Sequence, residues 1–523
     1  VNTTVSERFY VTTPIYYVNG TPHIGHAYTT ILADVLTRYH RLFGRPAYFL
    51  TGTDEHGLKI QQAAEAAGME PQAYCDSMVG NFKELWKKLG IRYDRFIRTT
   101  DGDHIAYVQK VLQKLWDKGE IYTAAYQGWY CVPDERFWTE KDLVEGNCPE
   151  CGREVIELEE ENYFFKMGSY GDWLIEHIVT NPAFILPESR RNEVLGFLRQ
   201  GLGDLCISRP MSRLKWGIPL PFDPEYVTYV WFDALLNYVS AVESVPGPAD
   251  TDKWWPADLH LIGKDIVTTH CVYWPTMLKA AGFELPGRIA AHGWWLVEEQ
   301  KMSKSRGNVV RPLDLSEQYG VDAFRYFLMR EMTVGQDRSF SEVDLVQRYN
   351  ADLANDLGNA LNRVTTMIIR YSGGVLGQPV SKDEEPETGM RETATRVVSN
   401  VPEAVAELEV NRAVDEVMEL VRGTNRYLET REPWQLAKEE QKRGLLETTL
   451  YTAAESLRLA GVLLHPIMPE KTVRLLEQLG TGLEATGGDY RSLTEWGVLE
   501  PGSPVPGGEG LFPRAELPED LRD

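Results

Sequence analysis

Phe9-Tyr10-Val11-Thr12-Thr13-Pro14-Ile15-Tyr16-Tyr17-Val18, then Asn19-Gly20-Thr21-Pro22, then His23-Ile24-Gly25-His26, is the stretch on which the fold turns. β-Branched and aromatic residues dominate its first part, the composition of a buried strand. Asn19-Gly20-Thr21-Pro22 breaks the run. Beyond the break Ile24, Ile31, Leu32, Val35 and Leu36 recur on one helical face. Residues 46–51 read as the next strand. Strand, helix, strand at this spacing predicts a parallel α/β sheet. The amphipathic segments 72–89 and 105–118 fit helices covering it.

Near Gly119 the texture changes. Residues 129–165 are rich in turns and hold three of the six cysteines, which reads as an insertion ending around Tyr226. Strand and helix character returns at 229–242 and 259–262, so the sheet is interrupted and then completed. After Arg348 the chain becomes almost wholly helical, with apolar spacing in 404–421 and 445–464. Residues 381–387 form an acidic, proline-containing loop, and 501–523 a tail or surface strap.

At 523 residues the chain is too long for one ordinary core, so several domains are expected. Its 54 basic and 77 acidic residues give a net charge of −23. That balance argues against indiscriminate nucleic-acid binding, which runs on phosphate neutralisation, while leaving room for an RNA met through a local basic patch. No apolar stretch is long enough to cross a bilayer, and residues 1–10 lack a signal-peptide pattern. Few, unevenly spaced cysteines (Cys75, Cys131, Cys148, Cys151, Cys206 and Cys271) indicate a reduced, cytoplasmic protein.

Two signatures carry chemistry. Pro22-His23-Ile24-Gly25-His26 sits where a strand gives way to a helix, and there backbone N–H groups and the helix dipole favour a phosphate. Gly25 admits a nucleotide closely, and His23 and His26 can donate to phosphate oxygens. Alone, the pattern also fits two unrelated surface histidines or half a metal site. The second is Lys301-Met302-Ser303-Lys304-Ser305-Arg306-Gly307-Asn308, a basic, hydroxyl-bearing loop suited to gripping a triphosphate. Many basic loops look like this one, but the two signatures in this order within a split α/β sheet are hard to obtain by chance.

Together they resemble the HIGH and KMSKS signatures of the class I aminoacyl-tRNA synthetases, over nearly the whole chain from about residue 8 to about 499. The resemblance implies an α/β fold: a Rossmann-type parallel sheet split by a connective insertion, followed by an α-helical bundle that binds the anticodon. The boundaries expected are 1–118 and 228–300 for the two halves of the catalytic domain and 119–227 for the insertion. A KMSKS and stem-contact region follows at 301–347, then the anticodon domain at 348–500 and a tail at 501–523.

Further stretches resemble the methionyl-tRNA synthetases: Thr51-Gly52-Thr53-Asp54-Glu55-His56-Gly57, Tyr229-Val230-Trp231-Phe232-Asp233-Ala234-Leu235, and Gly263-Lys264-Asp265-Ile266-Val267 leading to His270 and Trp274. The leucine, isoleucine and valine enzymes share both signatures but carry an editing domain for which residues 119–226 are too few. The cysteine enzyme uses active-site zinc and lacks this aromatic set.

The resemblance implies a methionine site of Ile15, Tyr17, Asp54, Trp231, Ala234, Leu235, Tyr238, Ile266, His270 and Trp274. Physically, Asp54 at a strand end suits an ammonium group. On a helix Trp231 and Tyr238, seven apart, share a face, as do His270 and Trp274 at four, and aromatic rings suit a thioether. Each aromatic taken singly reads more readily as core packing, and it is the matched set that raises them.

For ATP the resemblance implies His23, Gly25, His26, Gly263, Asp265, His292, Gly293, Trp294 and Lys304. Asp265 would meet the ribose, and residues 292–295, read as one strand, the adenine side. His23 and His26 would serve the transferring phosphate, and Lys304 with Lys301 the departing pyrophosphate. Asn359, Arg363 and Trp434 match the positions that read the anticodon by hydrogen bonding and stacking, a common way of recognising unstacked RNA bases.

The partners implied are L-methionine, ATP with Mg²⁺, and both initiator and elongator tRNA(Met), with no membrane and a monomeric state. Cys148-Pro149-Glu150-Cys151 is a knuckle whose counterpart reads Cys131-Val132-Pro133-Asp134. Closed structural zinc sites use Cys and His overwhelmingly, so Asp134 favours a metal-free knuckle over a zinc site of Cys131, Asp134, Cys148 and Cys151. Two rival readings fit the sequence less well. A nucleotidylyltransferase acting on a small molecule would not need Asn359, Arg363 or Trp434. An RNA-binding protein that had lost activity would show a broken signature, and none is broken.

Overall fold

Six short strands make the central sheet, and their order explains where a ligand can sit. The computed structural model describes residues 8–131, 136–138, 140–149, 151–243, 245–248, 253–297, 300–301, 310–380, 385–484 and 489–521. The strands are β1 (Phe9–Tyr17), β2 (Ala47–Asp54), β3 (Arg95–Arg98), β4 (Ile185–Leu186), β5 (Leu259–Gly263) and β6 (Arg288–His292), arranged β3-β2-β1-β5-β6-β4. The pairs β2–β3, β1–β5, β5–β6 and β6–β4 are parallel. From β1 the order runs outward to β2 and β3 on one side, and from β5 to β6 and β4 on the other. The switch between β1 and β5 opens a crevice at the strands' carboxyl ends, the usual ligand position in such sheets. Strand β4 comes from inside the inserted segment, which returns to the sheet edge before leaving it again.

β1 and β2 are almost wholly buried and lack hydrophobic alternation, as expected of strands covered on both faces. The rest of the insertion builds its own antiparallel layer, in which Ile121–Cys131 pairs with Ile156–Phe165 from Ile121↔Phe165 to Tyr130↔Ile156.

The chain divides into two compact units: residues up to Pro22 with Tyr48–Trp86 and Arg92–His292, and His23–Ala47 with Lys87–Ile91 and Gly293–Asp523. The second unit includes helix α1 (Ile24–Leu42). Its core is pinned by the fully buried guanidinium of Arg325, which donates to Asp34 Oδ2 (2.6 Å) and to the carbonyls of Ile467 (2.8 Å), Pro466 (3.0 Å) and Leu89 (3.3 Å). Removing the Asp34 charge would strand that guanidinium, at about 3–5 kcal/mol.

Two sequence expectations change here, and of the two readings of the C-terminal segment the strap is the one found. Residues 404–421 belong to two helices, Glu385–Ala406 and Val410–Arg431, because Leu408 turns the chain with φ 61°. Residues 385–387, read as loop, form the first turn of the former, where Glu385 and Glu387 complement the helix dipole. Residues 501–521 are a packed strap: Val505, Leu511 and Phe512 are buried, Tyr349 donates to the carbonyl of Pro513, and Asn350 bonds both the N–H and the carbonyl of Ala515. Among the described residues no helix is long and apolar enough to cross a membrane.

Candidate active site

At the carboxyl end of β2, Asp54 is 2% exposed. The two residues after it are anchored from three sides. Glu55 accepts from Arg98 Nε (2.7 Å) and Nη2 (2.8 Å), from Thr53 (2.6 Å) and from Thr100 (2.7 Å). Its backbone N–H donates to Thr99, and its carbonyl accepts from Trp216 Nε1 at 2.5 Å. His56 Nδ1 meets Asp233 Oδ2 at 2.6 Å. Neither Trp216 nor the Asp233 partnership was legible in the sequence, since residues far apart in the chain meet here.

The expected helix carrying Trp231 and Tyr238 is two short ones, α2 (Val230–Leu235) and α3 (Asn237–Ser240), separated at Leu236. His270 lies in a π-helical turn, Thr269–Tyr273, ahead of α4 (Trp274–Ala281), so its spacing to Trp274 is not that of an α-helix. The rings converge nonetheless. Tyr238 lies 5.8 Å from His270, 5.8 Å from Trp274 and 4.4 Å from His260, and Trp231 lies edge-on to His270 at 6.4 Å. Single π turns often mark functional positions in helices.

Hydrogen-bond logic fixes the protons of this cluster. His270 Nδ1 faces the carbonyl of Ile266 at 3.0 Å, which can only accept, so the neutral ring leaves Nε2 to accept from the Tyr238 hydroxyl at 2.8 Å. Trp274 Nε1–H donates to His260 Nε2 at 3.1 Å, so His260 Nδ1–H donates to Thr12 Oγ1 at 2.7 Å. Burial pushes His270 down to about 4 and His260 well below the usual histidine range. The Tyr238 phenol is raised by burial first, with the charges of Tyr16 and Asp54 adding to it. Ala234 and Leu235 are buried, whereas Ile15, Tyr17, Trp231 and Ile266 are half-buried. Lys59 Nζ lies 5.6 Å from the centre of the Tyr17 ring.

At the ends of β5 and β6, Gly263 and His292 are register partners. The Asp265 carboxylate folds back over Gly263, where an added Cβ would stand 2.6 Å from its Oδ1. These three of the ATP candidates therefore meet. Residues 292–295 are not one strand: β6 ends at His292, and Trp295 opens the strand Trp295–Val297 in another sheet. Gly293 allows the change, because a Cβ there would fall 2.0 Å from the Gln336 carbonyl oxygen. Trp294 N–H caps Asp337 Oδ1 at 2.8 Å.

In the second unit His23 is the N-cap of α1. Its Nδ1 accepts from Gly25 N–H, and the His23 N–H donates to His26 Nδ1, both at 3.1 Å, with the rings stacked 3.9 Å apart. This is a capping box built from two histidines in place of Ser and Glu. With both Nδ1 atoms accepting, each ring carries its proton on Nε2 as a donor. Gly25 is required locally, since a Cβ would stand 2.9 Å from His23 Cε1. The first helical N–H, of Ile24, donates to the Val310 carbonyl at 3.3 Å. Residues 302–309, with Lys304, lie outside the described residues, as do the side chain of Lys301 and the whole of Asp134.

Asn359 opens helix α5 (Asn359–Ser372) and is exposed. Arg363, one turn on, lies 5.9 Å from the ring of Trp434 and donates to Glu429 at 2.6 Å. Trp434 is in the short helix Pro433–Leu436, entered through Glu432 at φ 44°. The sulfurs of Cys131, Cys148 and Cys151 lie within 4.8 Å of one another, Cys131 to Cys151 at 3.4 Å.

The family model for class I tRNA synthetases (M) matches residues 9–157 and 153–365, and that for the anticodon-binding domain of methionyl tRNA ligase matches 379–519. The methionine–tRNA ligase of Caldanaerobacter subterraneus is 48% identical over 99% of this chain and 80% of its own length. That of Streptomyces coelicolor is 45% identical over 98% and 97%. The crystal structure of Mycobacterium tuberculosis methionyl-tRNA synthetase bound by methionyl-adenylate superposes with TM-score 0.91 at 40% identity, covering 97% of this chain and all of that one.

Proposed function

The chain belongs to the methionine–tRNA ligases among the class I tRNA synthetases, and from that premise we propose how its residues divide the work. The reaction has two steps. A methionine carboxylate oxygen attacks the α-phosphorus of ATP, forming the mixed anhydride methionyl-adenylate as the P–O bond to pyrophosphate breaks. The 2′-hydroxyl of the tRNA terminal adenosine then attacks the carbonyl carbon and AMP departs. No covalent enzyme intermediate is needed, so positioning and charge stabilisation dominate.

Asp54 supplies the charge for the substrate ammonium. Ile15, Tyr17, Trp231, Ala234, Leu235, Tyr238, Ile266, His270 and Trp274 surround the thioether chain. The observation that carries this reading is the convergence of Tyr238, His270, Trp231 and Trp274, with the Asp54 charge acting on the Tyr238 phenol. Polarisable sulfur against aromatic edges is favourable, and packing alone discriminates a homologue one methylene shorter by roughly 1–3 kcal/mol. Gly263, Asp265 and His292 serve the ribose, and Gly293 and Trp294 the adenine.

The Nε2–H donors of His23 and His26, at a helix N-terminus, suit phosphate oxygens. Lys301 and Lys304 neutralise the leaving pyrophosphate. Mg²⁺ when bound screens the triphosphate charge. It would be held mainly by the phosphates, as is usual for Mg²⁺ bound with a nucleotide.

Asn359, Arg363 and Trp434 read the anticodon of initiator and elongator tRNA(Met), with the chain acting as a monomer in the cytoplasm. Three sulfurs within 4.8 Å fit a tetrahedral thiolate site, where bonds of about 2.3 Å put sulfurs roughly 3.8 Å apart. That favours zinc at the knuckle over the metal-free expectation. Methionine-dependent ATP–pyrophosphate exchange tests the reading. Exchange with another amino acid and not with methionine would refute it.

A further inference from the structure

The Asp233 carboxylate has no part in the site proposed above, yet it joins the elements that carry that site. Its carboxylate is 1% exposed. Oδ2 accepts from His56 Nδ1 at 2.6 Å, and Oδ1 from His104 Nε2 at 2.8 Å. His104, fully buried on the helix Gly102–Asp117, has Nδ1 at 2.7 Å from Ser240 Oγ. Each carboxylate oxygen thus meets a different imidazole. A carboxylate accepts only, so both histidines hold a proton toward it, and the remaining nitrogen of His104 is engaged by the Ser240 hydroxyl.

His56 lies two residues beyond Asp54, at the end of β2. Asp233 lies two residues beyond Trp231 and one before Ala234 on α2. Ser240 lies two residues beyond Tyr238 on α3. The relay His56–Asp233–His104–Ser240 therefore ties the segment bearing the ammonium partner to both helices bearing the side-chain pocket. A buried charge held only for packing is a poor source of stability, since its desolvation offsets most of the Coulomb gain. A fully satisfied buried network does fix geometry. Burial works to raise the Asp233 pKa, but His56 and the hydrogen bonds from both imidazoles outweigh it and hold the carboxyl below the usual range.

We propose that Asp233, through His56 and His104, is a positioning residue for methionine that fixes the distance between the Asp54 carboxylate and the Trp231–Tyr238 pocket. The inference rests on the methionine site proposed above. It predicts a defect in methionine recognition, separate from ATP use and from folding.

The test is steady-state ATP–pyrophosphate exchange on the full chain, alongside a thermal melt, for Asp233→Asn, His56→Leu, His56→Asn and His104→Gln. Asp233→Asn turns an amide N–H₂ toward an imidazole N–H. It is expected to raise KM for methionine about tenfold to a hundredfold while KM for ATP stays within about twofold. His56→Leu should do the same. His56→Asn and His104→Gln, whose amides can donate where Nδ1–H and Nε2–H did, should restore KM for methionine to within about threefold. If Asp233→Asn does not fold, the His56 pair carries the test, because His104 still satisfies the carboxylate. Asp54→Asn and Trp231→Ala run in parallel. If those two raise KM for methionine while Asp233→Asn and His56→Leu leave it unchanged, the positioning role is overturned and the pocket stands. If all four leave it unchanged, the methionine site itself is wrong and the inference falls with it. Equal losses toward ATP and methionine, or no difference between His56→Leu and His56→Asn, would reduce the relay to a structural one.

Discussion

Tyr238 gives its phenolic proton to His270 Nε2 (2.8 Å) because the other ring nitrogen of that histidine is committed to the Ile266 carbonyl (3.0 Å). The pair thus offers a neutral, orientated wall for an uncharged side chain. Tyr238→Phe removes the donor and leaves the His270 acceptor without its partner. KM for methionine is expected to rise about tenfold, near 1.4 kcal/mol, with KM for ATP unchanged. Exchange kinetics at varied methionine measure it.

The same burial makes the fold sensitive to acid. His270 titrates near 4 in the folded chain and near the ordinary 6.5 when unfolded, so between these values the unfolded state binds more protons. Stability is full above about pH 6.5 and falls as pH drops toward 4, with His270 contributing roughly 3 kcal/mol to the loss at about 1.4 kcal/mol per pH unit. His260, likewise depressed by burial, adds to it in the same direction. Denaturant melts from pH 7 to 4 on the wild type and on His270→Gln, which cannot titrate, should show a shallower slope for the variant.

Gly25→Ala is expected to displace the His23 ring, which an added Cβ would approach to 2.9 Å. The step on ATP should slow by more than about tenfold with KM for methionine unchanged, and the helix cap should weaken by about 1 kcal/mol. Pre-steady-state adenylate formation and a thermal melt read the two effects.

Trp434→Ala should weaken aminoacylation of tRNA while sparing ATP–pyrophosphate exchange. Arg363 lies beside the Trp434 ring, so Arg363→Ala should behave alike. Equal loss of charging and exchange in either variant would count against an anticodon role.

Metal analysis of protein purified without chelator should find about one zinc per chain, lost in Cys148→Ser. Chains without zinc and with unchanged stability in Cys148→Ser would restore the metal-free knuckle.

The sheet was legible because β-branched and aromatic residues dominate β1, the apolar run Ala47-Tyr48-Phe49-Leu50 opens β2, and the break at Asn19-Gly20-Thr21-Pro22 announces the helix. Motif resemblance points to Asp54, Tyr238, His270 and Trp274 as candidates. Their geometry was not. A helical spacing of four says nothing of the π turn at Thr269–Tyr273, which depends on tertiary packing around His270. Nor does spacing reveal that His23 and His26 cap their own helix, since histidine is an uncommon N-cap. Asp233, His104 and Trp216 carried no local signal, because each acts on a partner more than a hundred residues away. That three sulfurs converge at the knuckle was not legible either, because the spacing of Cys131, Cys148 and Cys151 does not say which thiols the fold brings together.

The most direct measurement is ATP–pyrophosphate exchange with each of the twenty amino acids in turn. Methionine should be the amino acid that supports rapid exchange, and Asp54→Asn and Tyr238→Phe should both weaken it through KM. Exchange driven by a different amino acid, or methionine-driven exchange indifferent to both substitutions, would contradict the account.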